Sequence, residues 1–157
     1  MQIRKATPDD NPFLFEVYAS TRMDEVKGWG WSEQELQSFL SMQWIMQTRS
    51  YQIHYPQAAN YIISHLQKPA GRFIVNNSPN SMTLIDISLL PASRNLGIGS
   101  SILQMLQTEA SDSKIPLFLS VNPLNPAVKL YERLGFIASR KSELYWEMVW
   151  NPLKRFR

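Results

Sequence analysis

Leu84-Ile85-Asp86-Ile87-Ser88-Leu89-Leu90-Pro91-Ala92-Ser93-Arg94-Asn95-Leu96-Gly97-Ile98-Gly99-Ser100 is the stretch that decides how the chain is read. Met82–Leu90 is rich in branched apolar residues and predicts a strand. It enters a turn holding Gly97 and Gly99, and helical spacing follows from about Leu96 to Ser111. A strand-turn-helix of this kind aims unpaired backbone N–H groups and the positive end of a helix dipole at one point. Glycines leave no side chain between those amides and a guest, so the expected guest is a phosphate or pyrophosphate. The dinucleotide fingerprint G-x-G-x-x-G is not met, because its third position is Ile102. No Gly-Lys-Ser/Thr follows, which excludes a P-loop. Read alone, the two glycines serve equally well for tight packing of strand against helix.

Upstream, residues 2–6 alternate like a short strand, and Thr7-Pro8-Asp9-Asp10 starts a helix carrying Phe13, Leu14, Val17 and Tyr18. Ser32 and Glu35 form a capping box before a second helix with Leu36, Phe39, Leu40, Ile45 and Met46. Arg22–Trp31 reads as a polar and aromatic loop between them. A meander follows, with strands at Asn60–Leu66 and Gly71–Val75 joined by residues 67–71, a turn at Asn76–Asn80, and then Met82–Leu90. After the helix come a strand at Ile115–Val121, a helix at Pro126–Leu134, and strands near Ile137–Arg140 and Tyr145–Trp150. The order β-α-α-β-β-β-α-β-α-β-β predicts an α+β, mixed α/β domain spanning 1–157, with a basic C-terminal end at 151–157.

The segment Asn125-Pro126-Ala127-Val128-Lys129-Leu130-Tyr131-Glu132-Arg133-Leu134-Gly135-Phe136 follows a strand and ends at a Gly C-cap. Together with Arg94-x-x-Gly97-x-Gly99, about thirty residues earlier, it resembles the GCN5-related N-acetyltransferase (GNAT) superfamily. That family pairs an Arg/Gln-x-x-Gly-x-Gly/Ala acetyl-CoA loop with a later Asn…Leu-Tyr-x-x-x-Gly-Phe helix. The resemblance covers nearly the whole chain. It implies a central mixed, mostly antiparallel sheet flanked by helices, and an N-acetyltransferase that uses acetyl-CoA as co-substrate.

The resemblance also implies residues. The pyrophosphate of CoA would rest on backbone amides of Arg94, Asn95, Leu96, Gly97, Ile98, Gly99 and Ser100. The pantetheine arm would pair with the main chain of Leu89 and Leu90, and Asn125 matches the family asparagine near the cofactor arm. Asn95 stands where the family often has Gly. Tyr131 matches the tyrosine that many members use as general acid toward the CoA thiolate, and the chemistry agrees: a phenol can donate to a leaving thiolate. Its other reading is a core tyrosine on an amphipathic helix.

The acceptor amine must lose a proton, and Asp86 is the candidate base. With Ile85, Ile87 and Leu89 on one strand face, Asp86 and Ser88 interrupt the other, so a part-buried carboxylate with a raised pKa is expected. An Asp satisfied by local hydrogen bonds is the competing reading. The family's acceptor pocket is framed by the first two helices, their loop and the middle strands, which nominates Tyr18, Arg22, Glu25, Trp29, His54 and Tyr55 as substrate-side residues. Arg22 would pair an acceptor anion and Glu25 an ammonium; for each, a solvated charge pair on a loop is the plainer reading. Trp29 and Trp31 are structural, wall the pocket, or make a subunit contact in a homodimer.

Composition narrows the remaining classes. The 157 residues suit one domain, and 44% hydrophobic residues can build a core. No apolar run is long enough to span a bilayer and residues 1–10 hold no signal-type apolar stretch, so a cytoplasmic protein is expected. There are no cysteines, which removes disulfides, thiolate zinc sites and a cysteine nucleophile, and fits direct transfer without an acyl-enzyme. His54 and His65 lie eleven positions apart with no metal-binding spacing, and no metal is expected. The net charge of +3 invites a nucleic-acid reading. Residues 1–137, however, hold eleven basic and eleven acidic side chains, and the excess sits in 138–157. No nucleic-acid partner is therefore expected; the alternative to an enzyme is an acyl-CoA-binding or interaction module on the same fold.

Overall fold

The computed structural model describes residues 1–152. Its elements are β1 (Gln2–Lys5), α1 (Asn11–Val26), α2 (Glu33–His54), β2 (Ala59–His65), β3 (Lys68–Asn77), β4 (Met82–Leu89), α3 (Ile98–Asp112), β5 (Leu117–Val121), α4 (Ala127–Arg133), β6 (Ile137–Lys141) and β7 (Trp146–Trp150). The order is the one expected from the sequence. The strands form one seven-stranded mixed sheet, β1-β2-β3-β4-β5-β7-β6, flanked by the four helices. The described end of the basic segment is residue 152; residues 153–157 of the expected basic end lie outside the described residues. Among the described residues no helix is long and apolar enough to cross a membrane.

By contact density the chain divides into two compact units, the first made of Met1–Ile74 and Asp86–Arg94, the second of Val75–Ile85 and the chain from Asn95 onward. In the first, β1 pairs antiparallel with β2, Ile3 opposite Ile63 and Lys5 opposite Tyr61. The β2–β3 turn is tighter than expected: Leu66 and Gln67 both take positive φ (52° and 67°), as a two-residue type I′ turn requires. β3 therefore starts at Lys68 and not at Gly71.

Helices α1 and α2 bury Tyr18, Ala19, Val26 and Leu40 together, with Phe15, Met23, Leu36, Phe39 and Trp44 packed around them. Each fully buried large apolar side chain contributes about 1.5–3 kcal/mol. This packing corrects the expected Arg22–Trp31 loop. Val26, 1% exposed, anchors a last turn of α1 that carries Arg22 and Glu25, and Lys27–Trp29 continue as a 3₁₀ turn. Ser32 and Glu35 do form the capping box of α2, with Ser32 Oγ accepting from Glu35 N at 3.1 Å.

The entry to α1 is tied by charge. Arg4 donates twice to the Asp10 carboxylate at 2.7 and 2.8 Å, and the Thr7 N–H adds a bond at 2.8 Å. The Arg4 guanidinium holds the Asp10 carboxyl well below the usual carboxylate range, with the Thr7 amide adding to it. A carboxylate depressed in the folded state contributes stability above its unfolded pKa of about 4 and loses it as pH falls toward the folded value. Thermal melts from neutral pH into acid are expected to fall less steeply below that value for Asp10→Asn than for the parent.

In the second unit β4 pairs parallel with β5, Met82 opposite Leu117 and Leu84 opposite Leu119. β5 pairs antiparallel with β7, and β7 with β6, where the register shifts between Ala138 and Arg140. α3 packs on β5 with Ile98, Ile102, Leu103, Leu106 and Ala110 buried, the spacing of one helical face. Gln107 is the buried polar residue of this helix, and its amide donates to Leu134 O at 2.8 Å.

Candidate active site

The decisive stretch folds as predicted. β4 stops at Leu89, Pro91–Ser93 make a 3₁₀ turn, and α3 opens at Ile98. In the first unit, Leu90 N–H donates to Ala70 O at 2.8 Å and Leu90 O accepts from Ser93 N at 2.9 Å, so its main chain is spent on the fold. Successive strand residues turn their amides to opposite edges, so Leu89 faces away from Ala70. Its carbonyl accepts from Arg94 Nε at 3.1 Å, and this bond folds the motif arginine back on the end of the strand.

In the second unit, Asn95 (φ 61°) and Gly97 (φ 82°) are both left-handed. Asparagine is the side chain that best tolerates that conformation, which explains how it stands in a glycine position. Gly97 is the N-cap of α3, and no side chain caps the helix among the described residues. A Cβ at Gly97 would meet nothing within 4 Å, and one at Gly99 only Leu130 Cδ2 at 3.9 Å. The start of α3 thus has no side-chain cap among the described residues and leaves room at Gly97 and Gly99 for a close approach, as an anion at a helix N-terminus requires. Gly97→Ala is expected to lose about 1–2 kcal/mol to backbone strain, whereas Gly99→Ala loses little; thermal melts of the two variants check this.

Asn125 Oδ1 accepts from the N–H of Ala127, the first residue of α4, at 2.9 Å. Tyr131, 7% exposed, lies edge-on to Phe136 with ring centroids 5.9 Å apart. The helix ends as the motif predicts: Gly135 takes φ 96° and Phe136 N–H reaches back to Tyr131 O at 3.0 Å.

Asp86 is part-buried, as expected, but it is not isolated. Arg72 Nε donates to its Oδ2 at 3.0 Å and Ser88 Oγ to the same oxygen at 3.1 Å. Oδ1 takes no hydrogen bond among the described residues. Arg72 is itself only 4% exposed, and its second contact is Gln47 Oε1 at 3.3 Å. Burial, and next the Asp86 charge, push the Tyr51 phenol up to about 12. Tyr51 therefore keeps its proton, and its ability to donate, across the neutral range.

The remaining substrate-side nominees scatter. Arg22 Nε lies 3.2 Å from Glu25 Oε2 within one turn of α1, and its guanidinium sits 5.8 Å from the Tyr18 ring. The pair is thus mutual and sits on a helix. Trp29 stacks edge-on with Trp31 and Phe39 at 5.2 and 5.4 Å. His54 closes α2 with Nδ1 2.9 Å from Ser50 O. Tyr18 is buried in the helix pair. Tyr55 alone of the six lines a groove of the first unit, about 680 Å³, together with Tyr51, Trp44 and Arg72. Sequence reasoning missed Arg72, Tyr51 and Gln47. Arg72 carried a signal, a charge inside the apolar run Ala70–Val75 that has to find a counter-charge when buried.

A family model described as the acetyltransferase (GNAT) family matches residues 16–136. The chain belongs to that family. Solved structures share the fold. PaiA N-acetyltransferase from Thermoplasma acidophilum in complex with coenzyme A aligns with a TM-score of 0.71 at 17% identity, covering 96% of this chain and 98% of that one. An acetyltransferase from Thermus thermophilus aligns at 0.67 and 18% identity over 96% of both chains. The ribosomal-protein-S18-alanine N-acetyltransferase from Escherichia coli aligns at 0.60 and 20% identity, covering 94% of this chain and 89% of that one. No curated protein matches the chain by sequence.

Proposed function

We propose that the chain, working as one domain in the cytoplasm, transfers an acetyl group from acetyl-CoA directly to a primary amine. The observation that carries this reading is the uncapped first turn of α3 under two glycines, in a chain of the GNAT family. The amides of Arg94–Ser100 hold the pyrophosphate, Leu89 offers its main chain to the pantetheine arm, and Asn125 stands near that arm. That the PaiA N-acetyltransferase, similar in fold, was solved in complex with coenzyme A supports CoA as the guest.

The amine nitrogen attacks the thioester carbonyl, the new C–N bond forms, and the C–S electron pair leaves on sulfur. Tyr131 gives its phenolic proton to that thiolate and regains one from solvent. The proton shed by the amine goes to Asp86, whose Oδ1 is the oxygen left open by Arg72 and Ser88. Chemistry of this kind needs positioning more than a covalent intermediate, which agrees with a chain free of cysteine.

The test is release of CoA thiol from acetyl-CoA in the presence of a panel of small amines, amino acids and peptides. At least one acceptor is expected to release thiol. A chain that only binds acyl-CoA releases none with any of them, and that result would overturn the reading.

A further inference from the structure

The groove of the first unit has a definite chemical character. Its walls combine Leu14, Trp44, Tyr51 and Tyr55 with two cations, Arg49 and Arg72. Among the described residues that line it there is no Asp or Glu. Arg72 is already matched by Asp86 at 3.0 Å. Arg49 is exposed and makes no ion pair among the described residues. The groove therefore presents one uncompensated positive charge on an aromatic and aliphatic wall. A polyamine would meet the Arg49 charge with only the Asp86 carboxylate, already bonded to Arg72, as counter-charge. A carboxylate would gain a charge-assisted, bidentate partner in Arg49.

The groove also adjoins the proposed base. Arg72 lines it and donates to Asp86 at 3.0 Å, and Tyr51, which lines it too, feels the Asp86 charge. We infer that this groove is the acceptor pocket and that it takes an amine carrying a carboxylate on an apolar body, an apolar α-amino acid being the simplest case. The apolar body lies against Trp44, Tyr55 and Leu14. The carboxylate takes Arg49, and the amine lies beside the Arg72–Asp86 pair. The assignment of the amine as acetyl acceptor rests on the acetyl-transfer reading, whereas occupancy of the groove does not.

The experiment compares L-phenylalanine, 2-phenylethylamine (the same molecule without its carboxylate) and spermidine. Each is titrated calorimetrically into the full chain and then assayed for thiol release with acetyl-CoA, using the parent, Arg49→Gln and Arg49→Lys. Arg49 is exposed, so both variants should fold. The expected result is that the parent favours phenylalanine over phenylethylamine by roughly tenfold. Arg49→Gln should bring that ratio close to one, and Arg49→Lys should restore part of it.

Binding of phenylalanine with this Arg49 dependence but no thiol release keeps the groove assignment and overturns the assignment of its amine as the acetyl acceptor. Equal or tighter binding of phenylethylamine or spermidine overturns the inference. So does a phenylalanine preference that survives Arg49→Gln, or the failure of all three probes to bind.

Discussion

Tyr131→Phe is expected to lower kcat about a hundredfold while leaving the affinity for acetyl-CoA within about twofold, the range of effect for one positioned general acid. The substitution keeps the ring that lies edge-on to Phe136 and removes only the hydroxyl. Tm separates a chemical loss from a structural one. A thiolate leaving without a proton donor must depart as an anion, so the deficit should shrink with acetyl thioesters of more acidic thiols. Steady-state kinetics with both kinds of thioester, beside calorimetric binding of CoA, would measure it. An unchanged rate returns Tyr131 to the role of a core tyrosine.

Gly71→Ala should lose more stability than Gly28→Ala, Gly97→Ala or Gly99→Ala. A Cβ there would overlap the carbonyl oxygen of Ser88 and lie 2.7 Å from Leu89 Cδ2 and 3.0 Å from Leu89 Cα. Two of the three atoms are backbone of the facing strand, which cannot rotate away. β4 must move, and the Leu90 N–H to Ala70 O bond at 2.8 Å goes with it. Overpacking of this kind costs about 3 kcal/mol, which for a chain of this size lowers Tm by roughly 10 °C. Because the displaced strand carries Asp86 and Leu89, turnover should fall as well. Gly28→Ala is the control, since a Cβ at Gly28 meets nothing within 4 Å. Equal melting temperatures for Gly71→Ala and the parent would refute the close approach of β3 and β4.

The element order was legible because each segment carries its own period. The alternation of residues 2–6, the capping box at Ser32 and Glu35, and the apolar face of α3 are local signals that tertiary packing did not override. The helix ends were less legible. Arg22–Trp31 looks like a loop by composition, and the turn that makes Arg22–Val26 helical is held by burial of Val26 beside Leu40, a long-range contact. α2 runs on to His54 without an apolar stripe to announce it: Ile53 is 76% exposed, and Leu40 is the one buried residue of that helix.

The same division holds for the site. The glycine turn and the Tyr131 helix are contiguous motifs, so they could be read directly, and the left-handed φ of Asn95 shows why a departure from glycine costs little. The proposed acceptor side is assembled from residues far apart in sequence. Arg72 meets Asp86 only through the register of neighbouring strands, and Gln47 and Tyr51 arrive from a helix. Arg22 and Glu25 read as separate charges on a loop, and one helical turn pairs them with each other.

Direct transfer is the central claim, and a single-turnover experiment tests it most directly. Enzyme in excess over acetyl-CoA is mixed with an acceptor, quenched in acid during turnover, and both protein and acceptor are weighed by mass spectrometry. The account predicts one acetyl group on the acceptor amine, free CoA thiol in equal amount, and no acetylated protein at any time. An acetyl group on the chain that forms and decays at the rate of turnover, or acetyl-CoA left intact with every acceptor, would contradict it.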